Sequence, residues 1–191
     1  MDIGQRNSSI AMARTQLTDV PEHAFPPGFG VRLYRAGDER HWVELHLAAD
    51  KHTEVRPELF ESQFGRDAQE LSQRQAYLLD SAGRVVGTAS AWRDDKYQRP
   101  ELGRIHWVAI HPEYQGRGLA KPLMTYLCRR LRELGHRKAY LTTSTVRVPA
   151  IGLYLRFGFQ PWIRDEEERA AWGELRGVLP DVGAPLEFSA L

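Results

Sequence analysis

The chain has 191 residues, 42% of them hydrophobic and 27% charged, with a formal net charge of +1. That length suits one domain with its own core rather than two, and the balanced charge argues against nucleic-acid partners. No run reaches the roughly 18 apolar residues needed to cross a bilayer, the start Met1 to Asn7 lacks the apolar stretch of a secretion signal, and the single cysteine, Cys128, cannot form an internal disulfide, so a cytoplasmic protein without membrane contacts is expected.

Residues 1–30 carry Pro21, Pro26, Pro27, Gly28 and Gly30 with little periodicity and read as an irregular arm. Val31 to Arg35 alternates as a half-buried strand, and Asp38 is placed to cap a helix carrying Trp42, Val43, Leu45, His46 and Leu47. A second short helix follows Pro57, with Leu59, Phe60 and Phe64 on one face. Gln75 to Leu79 and Val85 to Trp92 read as two strands joined by the turn Asp80-Ser81-Ala82-Gly83. Gly103 to Ile110 is a third strand of this region, after the polar loop Arg93 to Pro100.

After Gly118, the stripe Leu119, Leu123, Leu127, Leu131 and Leu134 makes a strongly amphipathic helix that Gly135 ends. Pro122 falls in its first turn, where a missing N–H is harmless, and Cys128 sits in its apolar register as a buried structural thiol. Lys138 to Thr143 is a strand, Pro149 to Phe157 a helix, and Phe159 begins another strand. Asp165 to Leu191 opens on a short covering helix bearing Trp172, Leu175, Val178 and Leu179. This alternation after a hairpin-rich start predicts an α/β fold, a mixed central sheet with helices on both faces, over residues 31–163. Residues 1–30 form the arm and 164–191 an extension packing on the domain.

The segment from Val108 to Ala120 joins a short strand, a glycine-bearing turn and the amphipathic helix. Gly116 and Gly118 let the backbone curl so that N–H groups converge, and the positive end of the helix then favours a phosphate. Alone, such a turn either binds an anion or merely reverses the chain. It is not a dinucleotide fingerprint, because the third glycine and the downstream acidic ribose ligand are missing. His41 and His46 lie on different helix faces, so no metal site is expected.

Farther on stands Ala150-Ile151-Gly152-Leu153-Tyr154-Leu155-Arg156-Phe157-Gly158-Phe159. Gln115-Gly116-Arg117-Gly118-Leu119-Ala120 resembles the Gln/Arg-x-x-Gly-x-Gly/Ala loop of the GNAT superfamily of acyl-CoA-dependent N-acyltransferases. The later segment resembles that family's second signature, Ala-x-x-Leu-Tyr-x-x-x-Gly-Phe, in the same order. The likeness is dense over residues 103–161 and weaker over 31–100. It implies a GNAT-like fold and an enzyme that passes an acetyl group from acetyl-CoA to an amine of a small molecule or peptide. Direct attack in a ternary complex agrees with the lack of a nucleophilic cysteine.

The resemblance also implies roles. Gln115, Gly116, Arg117, Gly118, Leu119 and Ala120 would grip the coenzyme A phosphates, with Arg117 either paired to one or simply solvated. The backbone of Val108, Ala109 and Ile110 would carry the pantetheine arm, and an N–H near Val108 would polarise the acetyl carbonyl. Tyr154 would touch the cofactor sulfur as acid or hydrogen-bond donor to the leaving thiolate; its other reading is a packed aromatic beside Leu153 and Phe157. An amine with a pKa of about 10.4 needs a proton acceptor at neutral pH. His106 is the first candidate base, Glu101 the second and a water relay the third. Arg147 stands where the family commonly places an asparagine that holds pantetheine, so that contact differs here. The segment Ala49 to Arg56, with Trp92 and Asp94-Asp95, would border the acceptor pocket. A non-catalytic acyl-CoA-binding sensor is the alternative from another class, and a monomer or homodimer fits either.

Overall fold

An apolar run near the N terminus, Ile10-Ala11-Met12-Ala13, is bounded by serines and Arg14 and forms strand β1 (Ser9–Arg14). The computed structural model that shows this describes residues 7–179, 182 and 184–187. Within them the chain folds as two compact units, one built from the described residues up to Pro21, from 93–104 and from Leu131 onward, and the other from 22–92 and 105–130.

In the first unit the strand order is β5-β6-β1-β7-β8. Of β5 (Leu102–Ile110), the residues Leu102–Arg104 pair in parallel with β6 (Lys138–Ser144). Strand β1 runs antiparallel to β6 over its whole length and also to β7 (Gln160–Ile163) at Met12 and Ala13. The expected irregular arm is thereby corrected. Four consecutive apolar residues with 0% exposure are what a strand covered on both faces requires, and burying Ile10 or Met12 contributes roughly 1.5–3 kcal/mol each. The prolines and glycines farther along obscured that signal. Ala11, Ala13, Leu102, Tyr140 and Trp162 form this unit's core, with Tyr97 packed against it.

The helix α5 (Val148–Arg156) precedes β7, and α6 (Glu166–Leu175) follows it. Asp165 caps α6, its carboxylate accepting the Glu168 N–H at 2.8 Å. Trp172 and Leu175 are buried as expected, whereas Val178 is 51% exposed and lies past the helix end, so it covers nothing. The strand β8 (Leu186–Glu187) pairs in parallel with β7. The remainder of the expected C-terminal extension, residues 180, 181, 183 and 188–191, and the polar start Met1 to Arg6 lie outside the described residues.

In the second unit the order is β2-β3-β4-β5, where β2 is Gly30–Leu33, β3 is Gln75–Leu79 and β4 is Val85–Arg93. The pairs β2/β3 and β3/β4 are antiparallel. Helix α1 (Glu39–Ala49) starts at Asp38, but the Asp38 side chain does not cap it. Its carboxylate instead takes Arg32 Nη2 at 2.8 Å and the Arg35 N–H at 2.7 Å, a charge partner that a backbone amide cannot match. After α2 (Pro57–Phe64) comes a helix the periodicity did not announce, α3 (Ala68–Arg74). Asp67 caps α3 by accepting from the Gln69 and Glu70 N–H groups. The core here is aromatic: Tyr34, Trp42, Phe60, Phe64, Leu71, Tyr77 and Trp92. Helix α4 (Ala120–Glu133) begins in this unit and ends in the other, with Cys128 buried as anticipated. No helix among the described residues is long and apolar enough to cross a membrane.

Candidate active site

Beyond Ile110 the chain leaves β5 through a 3-10 turn, Pro112–Tyr114, and reaches the glycine turn. Gly116 has φ +73° and Gly118 φ +76°, and a Cβ added at either would find open space. Glycine is therefore demanded by the left-handed backbone and not by crowding, and the curled backbone lies open to solvent. The opening N–H groups of α4 have no intrahelical acceptors, so the turn and the helix start together present amide donors and a positive dipole end. Leu119 is buried in a cluster with Leu78 and Val86, which anchors that helix start.

The turn is braced by the connection between β3 and β4. The Tyr114 hydroxyl donates to Asp80 Oδ2 at 2.9 Å, and Arg84 Nε donates to the same oxygen at 2.7 Å. Burial of the Asp80 carboxyl works against ionisation, yet these donors, with the Ala82 and Arg84 amides, hold it down at about 2. Arg117 lies over the Tyr114 ring, 4.7 Å from its centroid, which fixes a cation within the turn. Gln115 Nε2 donates to the Ile110 carbonyl at 2.9 Å, so its side chain ties the turn back to the strand.

Along β5 itself, Trp107 has φ +50°, a conformation that costs a bulky residue of order 1–3 kcal/mol. Successive side chains of a regular strand point to opposite faces. Here His106 and Trp107 both reach Gln63 on α2: His106 Nε2 lies 3.1 Å from Gln63 Oε1, and Trp107 Nε1 donates to that oxygen at 3.0 Å. An indole N–H can only donate, so the atom facing both rings is the amide oxygen, and His106 Nε2 must then donate as well. That leaves Nδ1 as the basic nitrogen of a neutral His106. Rings from α1 and α2 pack around the pair, with Trp42 and His46 each 5.0 Å from Trp107 and Phe64 5.5 Å from His106.

Tyr154 and Glu101 belong to the first unit. Tyr154 sits on α5 with only 8% exposure, and burial pushes its hydroxyl up to about 12, with Arg147 drawing it partly back. Arg147 occupies the N-cap position of α5 without capping it through its side chain. Glu101 stands in the turn just ahead of β5, where its carbonyl accepts the Arg137 and Lys138 N–H groups at 2.9 and 3.2 Å. The second unit thus gathers His106, Val108, Ala109, Ile110 and the Gln115 to Ala120 turn, and adds Gln63 and Trp107, which the sequence reading missed. Gln63 was detectable only as the polar residue that follows Phe60 by one helical turn, and the left-handed Trp107 carries no sequence signal.

A sequence profile of the Acetyltransferase (GNAT) family matches residues 32–159. The mycothiol acetyltransferase of Pseudarthrobacter chlorophenolicus is 31% identical over 156 residues, a match covering 79% of this chain and 48% of that protein. The mycothiol acetyltransferase of Streptomyces bingchenggensis is 31% identical over 152 residues, covering 77% and 48%. The chain spans about half the length of these curated relatives. Among solved structures, a GCN5-related N-acetyltransferase from Sphaerobacter thermophilus aligns with a TM-score of 0.67 at 23% identity, covering 81% of this chain and 48% of that one, and shares the fold. With the profile spanning both signatures and the strand between them, this chain belongs to the GNAT acetyltransferase family.

Proposed function

We propose that this chain transfers the acetyl group of acetyl-CoA to a primary amine by direct attack in a ternary complex. The observation that carries the reading is the turn itself: two left-handed glycines face open space immediately before a helix start, which suits a pyrophosphate held by backbone amides. Residues Gln115 to Ala120 hold the phosphates there, and Arg117, already fixed on Tyr114, supplies charge. Bound acetyl-CoA supplies an acetyl thioester activated for acyl transfer. The backbone of Val108 to Ile110 orients the pantetheine amides, and the Val108 N–H stabilises the oxyanion, a contribution often worth about 3 kcal/mol.

His106 accepts the proton that the amine must lose, through Nδ1, and Tyr154 donates a hydrogen bond to the departing sulfur. Glu101 and a water relay remain the other routes for that proton. Aromatic rings and the loop Ala49 to Arg56 border the acceptor, and the names of the relatives put a mycothiol-type amine first among small molecules to try. Peptide amines come second. A cytoplasmic location, and a monomer or homodimer, complete the reading.

The test is thiol release from acetyl-CoA by the purified chain against a panel of amines, beside His106→Ala and Glu101→Gln. Amine-dependent release that His106→Ala lowers by about 10²–10⁴, while Glu101→Gln does not, supports the assignment. Stabilisation by acetyl-CoA without release for any amine would instead favour a binding module, and neither stabilisation nor release would remove the cofactor reading altogether.

A further inference from the structure

Gln63 receives two donors from consecutive residues of β5, and no ordinary strand would deliver both to one atom. The left-handed Trp107 turns its indole to the His106 side of the strand, and Gln63 Oε1 is where the two converge. The amide is half-buried on α2, beside Phe64, whose ring packs on His106. Trp107 fixes the amide's orientation, because an indole N–H has no acceptor capacity and so excludes the flipped arrangement with the amide nitrogen toward it. The orientation in turn fixes the imidazole hydrogen on Nε2.

We propose that Gln63 is a positioning residue: it holds His106 as the Nε2–H tautomer so that Nδ1 takes the proton of the acceptor amine. The proposal rests on the reading of His106 as the base. In that step the amine N–H bond breaks as an Nδ1–H bond forms, and the nitrogen lone pair attacks the acetyl carbonyl carbon, whose π pair moves onto oxygen. The pair returns as the C–S bond breaks and coenzyme A leaves as its thiolate. The proton gained makes an imidazolium whose Nε2–H bond to Gln63 becomes charge-assisted and stronger. Gln63 therefore favours the protonated product of the step as well as the tautomer that starts it. The same oxygen ties the strained Trp107 backbone in place, and the next residue, Val108, carries the amide assigned to the oxyanion.

The experiment combines nitrogen NMR of the His106 ring with steady-state kinetics of wild type, Gln63→Met and Gln63→Glu. The wild-type shifts are expected to report hydrogen on Nε2, and Gln63→Met to mix the tautomers and lower kcat about a hundredfold, the lower end of a general base's contribution, with KM for acetyl-CoA unchanged. Gln63→Glu keeps the acceptor but adds charge. The rings packed on His106, from Phe64 and Trp107, are neutral; His46 from α1 meets Trp107 edge-on, and the titratable Tyr34 and Tyr77 belong to the same aromatic core. A carboxylate at position 63 is therefore expected to raise the acidic limb of kcat, lowering activity near neutrality and restoring it at higher pH. Hydrogen found on Nδ1 in the wild type, or Gln63→Met with unchanged ring shifts and kcat, overturns the proposal. His106→Ala with wild-type kcat removes the base reading instead, and the ring shifts still decide whether Gln63 sets the tautomer.

Discussion

Replacing Tyr154 by Phe removes one hydroxyl and leaves the ring packed, so its effect isolates what that oxygen does. The hydroxyl stands at about 12 in the folded chain, raised chiefly by burial. An ordinary thiol has a pKa of about 8.5, so full proton transfer from Tyr154 to a departing thiolate is uphill by about 3.5 units, or about 4.8 kcal/mol. The hydroxyl is thus suited to hydrogen-bond the thiolate and ill suited to protonate it outright. A hydrogen bond to a charged partner is worth about 1.5–3 kcal/mol, which converts to a fall in kcat of about 10-fold to 150-fold for Tyr154→Phe. The assay is kcat for thiol release at saturating acetyl-CoA, with thermal unfolding of both proteins as the control. Because the folded pKa is raised above the unfolded value of about 10, the associated stability is fully present below that pH and is lost as pH climbs toward 12. Tyrosinate absorbance in the wild type minus that in Tyr154→Phe should therefore show its midpoint near 12. A loss of about a thousandfold or more at unchanged melting temperature would refute the hydrogen-bond argument and require genuine proton transfer. An unchanged kcat would refute any role at the leaving group.

Gly118→Ala forces a side chain into a left-handed site without steric contact, so about 1–2 kcal/mol is lost, divided between folding stability and acetyl-CoA affinity. Melting temperature and Kd measured together should sum to that range, whereas no change in either would show the turn relaxes freely. Asp80→Asn removes a carboxylate held at about 2, whose stabilisation is present above the unfolded pKa of about 3.9 and lost as pH falls toward 2. Urea unfolding of the two proteins should differ near neutrality and converge near the acid end, and a gap that persists there would assign the loss to packing. Gly103→Ala would bring a Cβ within 2.6 Å of Leu131 Cδ2 and 3.1 Å of His136 Cγ, an overpacking expected to lower stability by about 1–3 kcal/mol by chemical denaturation.

What could be read directly was whatever local backbone chemistry dictates. The apolar stripe of α4, its stop at Gly135 with φ +91°, the β3/β4 hairpin and the left-handed glycines of the turn all depend on residues close in sequence. Helix α3 was equally legible in Asp67-Ala68-Gln69-Glu70, an N-cap with a helix former behind it, though its weak apolar periodicity concealed it. Asp38 shows where local rules yield. It stands at the N-cap position, but the guanidinium of Arg32 on β2 and the Arg35 amide, both ahead of the helix, take its carboxylate in place of the helix amides.

The candidate site divides along the same line. Glycine spacing and the position of Tyr154 on its helix were set by the sequence alone, because a left-handed φ and a helical repeat are properties of short segments. The placement of β1 between β6 and β7, and the meeting of Gln63 with His106 and Trp107, were decided only by tertiary structure. Gln63 and His106 are 43 positions apart, and one amide oxygen can set the proton on an imidazole only once packing of α2 against β5 has brought them within hydrogen-bond distance.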